Sequence, residues 1–207
     1  MVLNLRGQGL FFLYIYKDNP MGLNHDQSIA AKNIFNFLLS NEKEYRLSGG
    51  AGVGKTFLMC HIMDHLMDKY EKTCKLLNIP QTINSIILTA TTNKAAEVLA
   101  KSTGYPASTI HSFLALRVVD NYETGTSKVS KTPNWIVNTG ILLFIDEASM
   151  IDSQLRNLIL EGTDKTCKII YVGDQDQMNP IMEKVSPVYG GDYQKSILNQ
   201  PMRNAEQ

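Results

Sequence analysis

The amino-acid sequence predicts an α/β fold in which helices cover a parallel β-sheet. Short apolar runs alternate along the chain with segments of helical periodicity, which is typical of such sheets. A glycine-rich segment, LSGGAGVGKT (47–56), separates the first apolar run from the helix that follows it. Polar residues directly follow several apolar runs, at the sheet edge where ligands of such folds bind. We therefore expect the functional residues to lie along one edge of the sheet.

Strands and helices are predicted in alternation from residue 27 onward. Strands are expected at 44–48, 84–90, 139–145 and 167–172, and helices at 27–39, 57–70, 93–102 and 151–162. The last helix has Asp152 or Ser153 available as its N-cap. Between 117 and 138 the alternation breaks, and the sequence predicts a small hairpin insertion, interpreted either as functional or as a variable surface loop.

Residues 1–20 form an N-terminal extension that precedes the organised pattern of the domain at 21–207. Its apolar run, LFFLYIY (10–16), is too short to span a bilayer and lacks a signal-peptide cleavage site. We expect Met21 to be the natural start of the protein.

Composition gives only weak constraints on partners. The 207 residues carry no formal net charge, so no overall basic field indicates a nucleic acid, although a local groove can be basic on a neutral protein. The three cysteines are odd in number and lack C-x-x-C spacing, which argues against a disulfide framework or zinc site and favours a reducing compartment.

The glycine-rich segment has the pattern G-x-x-x-x-G-K-[ST] of a phosphate-binding loop. Glycines let the loop curl tightly and aim backbone N–H groups at phosphates, which then lie at a helix N-terminus. Lys55 can reach the β- and γ-phosphates, and the hydroxyl of Thr56 can hold Mg²⁺. The predicted nucleotide-binding residues of the loop are Gly49, Gly50, Ala51, Gly52, Val53, Gly54, Lys55 and Thr56.

Two carboxylates, Asp146 and Glu147, directly follow the apolar run 139–145. Asp146 is positioned to hold Mg²⁺, usually through water, and Glu147 to orient or deprotonate the attacking water. Together with the loop, they predict Mg²⁺-dependent hydrolysis of a nucleoside triphosphate. The Asn-Lys-x-Asp motif for guanine is missing from the sequence, whereas Gln27 can pair with adenine. Asn24 and Gln27 also have the spacing of a capping box, which is the alternative interpretation.

Five further segments follow in a recognisable order: TATTNKAAEVLA, STIHSF, FIDEASMID, VGDQDQMNPI and PMRNAEQ. In this order the chain resembles superfamily-one DNA helicases of the RecD and Dda branch, from about Leu23 to Arg203. The resemblance implies a RecA-like P-loop NTPase fold, the cofactors ATP and Mg²⁺, and 5′-to-3′ movement on single-stranded DNA.

The resemblance also implies roles for individual residues. Gln177, near Asp174, would sense the γ-phosphate, and Arg203 would stabilise charge on the transferred phosphoryl group. The implied DNA-binding residues are Thr91, Thr92, Asn93, Lys94, Thr109, His111, Ser112 and Phe113. Hydroxyls, an amide and a lysine suit phosphate contacts, and Phe113 suits base stacking. For each residue, helix capping, structural hydrogen bonding or core packing is the alternative. In this branch the 117–138 insertion corresponds to a wedge, with Tyr122 or Trp135 as its aromatic pin, or with Trp135 as buried packing.

Such helicases contain two motor domains, and the motifs of the second are absent from the sequence. A second motor domain or another chain is therefore an expected partner, beside single-stranded DNA, and no membrane is expected. We expect weak ATP binding, slow hydrolysis and no unwinding by this chain, in the cytoplasm of a bacterium or phage-infected host. The alternatives are a truncated DNA- or partner-binding module that no longer hydrolyses ATP, and another P-loop ATPase or a nucleotide kinase, although no Arg-rich lid is present.

Overall fold

Six parallel strands form the centre of the structure, a computed structural model that describes residues 22–121, 126–174 and 185–202. The strands in chain order are β1 (Glu44–Gly49), β2 (Ser85–Ala90), β3 (Ala107–Thr109), β4 (Leu116–Asn121), β5 (Thr126–Lys131), β6 (Ile141–Asp146), β7 (Lys168–Gly173) and β8 (Lys195–Leu198). The sheet has the order β3-β2-β6-β7-β1-β8, while β4 and β5 form a separate antiparallel pair. The predicted α/β class is confirmed, as are the four predicted strands, to within two residues at each end.

The register of the parallel strands brings the ends of β1, β6 and β7 together. Ser48 pairs with Gly173, so the start of the glycine-rich loop lies beside the end of β7. Ile145 pairs with Tyr171, which places Asp146 on the other side of that same strand end. The predicted functional residues therefore share the carboxyl edge of the sheet, as expected for this fold class.

Helices cover both faces of the sheet. They are α1 (His25–Leu39), α2 (Lys55–His61), α3 (Met67–Leu77), α4 (Asn93–Thr103), α5 (Ile110–Phe113), α6 (Ser153–Glu161) and α7 (Pro187–Gly190). A π-helical turn, Ile62–Leu66, joins α2 to α3. The side chains of β6 alternate between two cores: Leu142 and Phe144 pack with α1 and α2, and Leu143 and Ile145 pack with α6. A strand buried on both faces reads as one continuous apolar run, which is why the sequence predicted it well.

The antiparallel pair of β4 and β5 lies within the predicted insertion at 117–138. Leu116 pairs with Lys131 at its base, and Asn121 pairs with Thr126 at the other end. Trp135 is half-buried against the core that contains α6, and the Nζ atom of Lys131 lies 4.4 Å from the centre of its ring. These contacts favour the packing interpretation of Trp135. Tyr122, the other candidate pin, lies outside the described residues.

Four short α-helices and strands were not expected from the sequence: β3, α5, α7 and β8. Each has only three or four residues, too few to show a periodic pattern. Strand β8 lies at the edge of the sheet and alternates between exposed and buried residues. No helix among the described residues has the length and apolarity that crossing a membrane requires.

Candidate active site

The glycine-rich loop joins β1 to α2, and two of its glycines have a left-handed backbone conformation. Gly52 and Gly54 have φ values of 76° and 80°, a backbone conformation that glycine adopts readily. Gly54 is the N-cap of α2, so the loop leads directly into a helix N-terminus. An added Cβ at Gly54 would lie 2.3 Å from Nε2 of Gln27, so the position has no room for a side chain. The strand, loop and helix expected around the phosphate-binding pattern are thus present.

Lys55 lies within the curl of this loop. Its ammonium group donates hydrogen bonds to the carbonyl oxygens of Gly49, at 2.5 Å, and Gly50, at 2.8 Å. Burial lowers the pKa of Lys55, while the nearby carboxylates of Asp146 and Asp174 act in the opposite direction. The lysine therefore faces both carboxylates at the sheet edge.

Asp146 and Glu147 lie at the end of β6. Burial raises the pKa of Asp146, and the charge of Glu147 adds to the rise, while Lys55 opposes it. Glu147 has a φ of 54°, in the left-handed region where a non-glycine residue is strained. Half-buried like charges favour a bound cation, and carboxylate and hydroxyl oxygens are ligands that Mg²⁺ accepts. Asp146 and the half-buried Thr56 thus fit the predicted Mg²⁺ site.

Gln27 is fully buried between the start of α1 and the loop. It forms a capping box with Asn24: Oε1 of Gln27 accepts from the Asn24 backbone N–H at 3.0 Å, and Oδ1 of Asn24 accepts from the Gln27 backbone N–H at 2.9 Å. Its Nε2 donates to the carbonyl oxygen of Val53 at 3.2 Å. The capping interpretation is therefore confirmed, and Gln27 also contacts the loop. Its contact with adenine stays a prediction.

The two segments predicted to bind DNA are neighbours. Ala90, at the end of β2, pairs with Thr109, at the end of β3. The helices that follow are capped by threonine side chains: Thr92 accepts from the N–H of Ala95, and Thr109 accepts from that of Ser112. The capping alternative is thus present at both threonines, and both segments emerge at the same edge as the loop.

The remaining residues of these segments differ in exposure. Asn93, Lys94 and Ser112 are exposed, and Thr91 is half-buried. His111 is half-buried, and burial lowers its pKa. Phe113 is half-buried against the core that contains α6. The structure brings all eight residues to one region of the surface, and their contact with DNA stays a prediction.

One contact joins the DNA segment to the carboxylates. The Thr92 hydroxyl donates to Oε2 of Glu147 at 3.5 Å, and Thr91 lies against Met150, its Oγ1 being 3.6 Å from the sulfur. The residues predicted to hold DNA and those predicted to activate water are therefore in direct contact. Gln177 and Arg203 lie outside the described residues.

The segment 199–202 docks on the nucleotide loop, which the sequence analysis did not anticipate. The carboxylate of Asp26 accepts from the backbone N–H groups of Asn199, at 2.9 Å, and Gln200, at 3.0 Å. The N–H of Met202 donates to the carbonyl oxygen of Gly52 at 3.0 Å. These contacts join residues about 150 positions or more apart in the chain, so no local pattern could reveal them.

The sequence matches one family model and is similar to several known proteins. A family model described as an AAA domain matches residues 33–183. The ATP-dependent DNA helicase dda of Enterobacteria phage T4 is 32% identical over 160 residues, which cover 75% of this chain and 33% of that protein. The RecBCD enzyme subunit RecD of Buchnera aphidicola is 29% identical over 153 residues, covering 65% of this chain and 23% of that protein.

Solved structures agree at the level of the fold. The crystal structure of Bacteroides sp Pif1 in complex with ADP-AlF4 aligns with a TM-score of 0.58 at 19% identity, over 90% of this chain and 44% of that chain. The Pif1 helicase from Candida albicans aligns with a TM-score of 0.53 at 22% identity, over 87% of this chain and 40% of that chain. The chain spans about a third or less of the length of the curated relatives it matches.

Proposed function

The chain belongs to the AAA domain family, as a superfamily-one helicase motor domain of the RecD and Pif1 type, and on this premise we propose that it couples ATP hydrolysis to movement on single-stranded DNA. The observation that carries the proposal is the contact between Thr92, in the segment for DNA, and Glu147, in the segment for hydrolysis. A motor requires such a connection, whereas a nucleotide kinase or an unrelated ATPase does not.

ATP would bind along the glycine-rich loop. Lys55 would exchange its bonds to the loop carbonyls for the β- and γ-phosphates, and Gln27 would read adenine while it caps α1. Thr56 and Asp146 would hold Mg²⁺, which when bound offsets the negative charge of the phosphates. Glu147 would orient the attacking water, since this residue directly follows Asp146 at the carboxyl edge of the sheet. Gln177 and Arg203 would complete the site in the roles that the family resemblance implies.

DNA would lie along the ends of β2 and β3. Exposed Asn93, Lys94 and Ser112 would contact phosphates, which position a strand without reading its sequence. A shift of Glu147 on nucleotide binding would be transmitted through Thr92 to α4 and so to the DNA strand. Coupling of this kind is reciprocal, since each ligand changes the affinity for the other by the same factor.

The proposal extends to the setting of this domain. The curated relatives are three or more times longer than the matched region, which favours completion of the nucleotide site by a second motor domain or another chain. Movement would be 5′ to 3′, and the hairpin of β4 and β5 would act as the wedge. The phage relative favours the cytoplasm of a bacterium or an infected host as the place of action.

Binding of a fluorescent oligo-dT, measured at low salt with and without Mg²⁺ and a non-hydrolysable ATP analogue, tests the proposal. We expect the analogue to change the affinity for oligo-dT, and oligo-dT to change the affinity for the analogue by the same factor. In the Lys55→Ala variant, binding of oligo-dT should persist and its response to the analogue should vanish. Oligo-dT binding that ignores the analogue would point instead to a DNA-binding module, and analogue binding without DNA binding to another kind of ATPase.

A further inference from the structure

Strand β1 carries a buried arginine beneath the nucleotide loop. Arg46 is 5% exposed and forms no ion pair among the described residues. Its guanidinium donates to the carbonyl oxygen of Tyr189 at 2.8 Å and lies 5.1 Å from the centre of the Tyr189 ring. Burying a charge without a partner costs free energy, and here the carbonyl oxygen and the ring of Tyr189 are the partners of the guanidinium. Arg46 thereby holds this aromatic ring in place.

That ring places the Tyr189 hydroxyl at the end of β7. A Cβ added to Gly173 would lie 2.7 Å from this hydroxyl oxygen and 3.2 Å from the backbone nitrogen of Ala148. The hydroxyl thus occupies the space that a side chain at position 173 would take. Asp174 directly follows Gly173 in the chain, and Ala148 directly follows Glu147, so the hydroxyl lies close to both segments.

Two hydroxyl groups near this point have no hydrogen-bond partner in the part of the chain that the structure describes. They are the buried hydroxyls of Tyr189 and Ser48. Ser48 is the register partner of Gly173 and lies on the same face of β1 as Arg46, since side chains alternate along a strand. Buried hydroxyls are almost always hydrogen-bonded, so two without a partner indicate that a hydrogen bond forms here when a ligand or water binds.

The position of the hydroxyl indicates Asp174 as the acceptor, because this residue directly follows Gly173, beside which the hydroxyl lies. Burial raises the pKa of Tyr189 to about 12, with Asp174 and Asp146 adding to the rise and Arg46 opposing it. The hydroxyl therefore keeps its proton at neutral pH and can donate it to a carboxylate. Asp174 in turn lies near the loop, with Oδ2 4.0 Å from a Cβ placed on Gly50.

We propose that Tyr189 is a positioning residue of the nucleotide site, whose hydroxyl hydrogen-bonds the Asp174 carboxylate when Mg²⁺ and nucleotide bind. This bond fixes the carboxylate toward the hydrated metal, while Arg46 holds the ring from the other side. The inference rests on the proposed function and adds a residue that the family motifs do not include.

The Tyr189→Phe variant tests the proposal because it removes the hydroxyl and keeps the ring on Arg46. The dissociation constant of a fluorescent ATP analogue should rise about tenfold in Mg²⁺ and stay unchanged in EDTA. The melting temperature of the nucleotide-free variant should not fall, because an unpartnered buried hydroxyl gives no stability there.

Tyr45→Phe is the matched control. The Tyr45 hydroxyl is also buried, but it is bonded to Ser196 at 2.6 Å and lies on the opposite face of β1. Its removal should lower the melting temperature and leave both affinities unchanged. Tyr189 would be merely structural if Tyr189→Phe lost the same affinity with and without Mg²⁺, or lost none.

Lys55→Ala separates this inference from the proposed function. If Lys55→Ala abolishes analogue binding while Tyr189→Phe binds as the wild type does, only the role of Tyr189 is wrong. If Lys55→Ala also binds as the wild type does, the nucleotide site itself is wrong.

Discussion

The hydroxyl of Thr92 donates to the carboxylate of Glu147 at 3.5 Å and also accepts a hydrogen bond from the N–H of Ala95 at 3.1 Å. One side chain therefore caps α4 and touches the residue expected to orient the attacking water. The same threonine belongs to the segment expected to hold DNA. It directly connects the two proposed sites.

Replacement of Thr92 by valine should weaken the coupling between DNA and ATP. Valine has nearly the same shape but can neither cap α4 nor reach Glu147. Loss of the cap should lower the free energy of unfolding by about 1 kcal/mol. Stimulation of ATP hydrolysis by oligo-dT should fall, measured as the ratio of rates with and without DNA at saturating nucleotide. Thr92→Ser keeps both bonds and serves as the control, and equal stimulation in all three proteins would contradict the coupling role.

Replacement of Asp146 by asparagine should stabilise the nucleotide-free protein and abolish hydrolysis. Burial and the charge of Glu147 raise the pKa of Asp146 above its ordinary value of 3.8. The folded protein then binds this proton more tightly than the unfolded chain. The free energy of unfolding therefore falls as pH rises from the pKa of Asp146 in the unfolded chain to its pKa in the folded protein. Asparagine carries no charge, so the variant does not lose this stability at neutral pH. Replacing a residue that function requires often stabilises a protein in this way.

The measurement is urea unfolding of both proteins at neutral pH and at about pH 4. The advantage of Asp146→Asn should be present at neutral pH and shrink toward the lower pH, because the carboxyl of the unfolded wild-type chain also begins to bind its proton there. Saturating Mg²⁺ should narrow the difference at neutral pH by stabilising only the wild type. A variant that is less stable than the wild type at neutral pH would show that the hydrogen bond from the Glu147 backbone to this carboxylate outweighs the cost of burying its charge.

The sequence predicts the parts of the site that are local and misses those that are not. Strand β1, the loop and α2 follow from glycine spacing and helical periodicity within about thirty residues. Asp146 is found because a buried strand reads as one apolar run that ends in two carboxylates. Tyr189 lies in a four-residue helix without a periodic pattern, and its partner Gly173 precedes it by sixteen positions. The docking of 199–202 on Asp26 depends on β8, an edge strand with only four residues.

Replacement of Asp26 by alanine should free the segment 199–202 from the loop. One carboxylate oxygen accepts from the N–H groups of both Asn199 and Gln200, and these bonds lower the pKa of Asp26. Without it, the amide protons of Asn199, Gln200 and Met202 should exchange faster with solvent, while those of β1 and β7 stay protected. Alanine at Asp68, an exposed acidic residue in the first turn of α3, is the control and should change none of these rates. Unchanged protection in Asp26→Ala would mean that the bond from Met202 to Gly52 and the bond from the Asn24 amide to the Gln200 carbonyl oxygen hold the segment without Asp26.

Two glycines of the loop should respond differently to alanine, although their backbones are alike. Gly52 and Gly54 have φ values of 76° and 80°, so alanine is strained at either position, at a cost of about 1–2 kcal/mol. At Gly52 an added Cβ meets no atom within 4 Å, whereas at Gly54 it would lie 2.3 Å from Gln27 and 2.4 Å from the sulfur of Met202.

In urea unfolding, the free energy of unfolding of Gly52→Ala should therefore fall only by this strain energy. Gly54→Ala should lose more, because it displaces Gln27 from the capping box and Met202 from the loop, and it should also bind an ATP analogue more weakly. Equal losses in the two variants would show that backbone strain alone governs the loop and that the contact between Gln27 and the loop carries no stability.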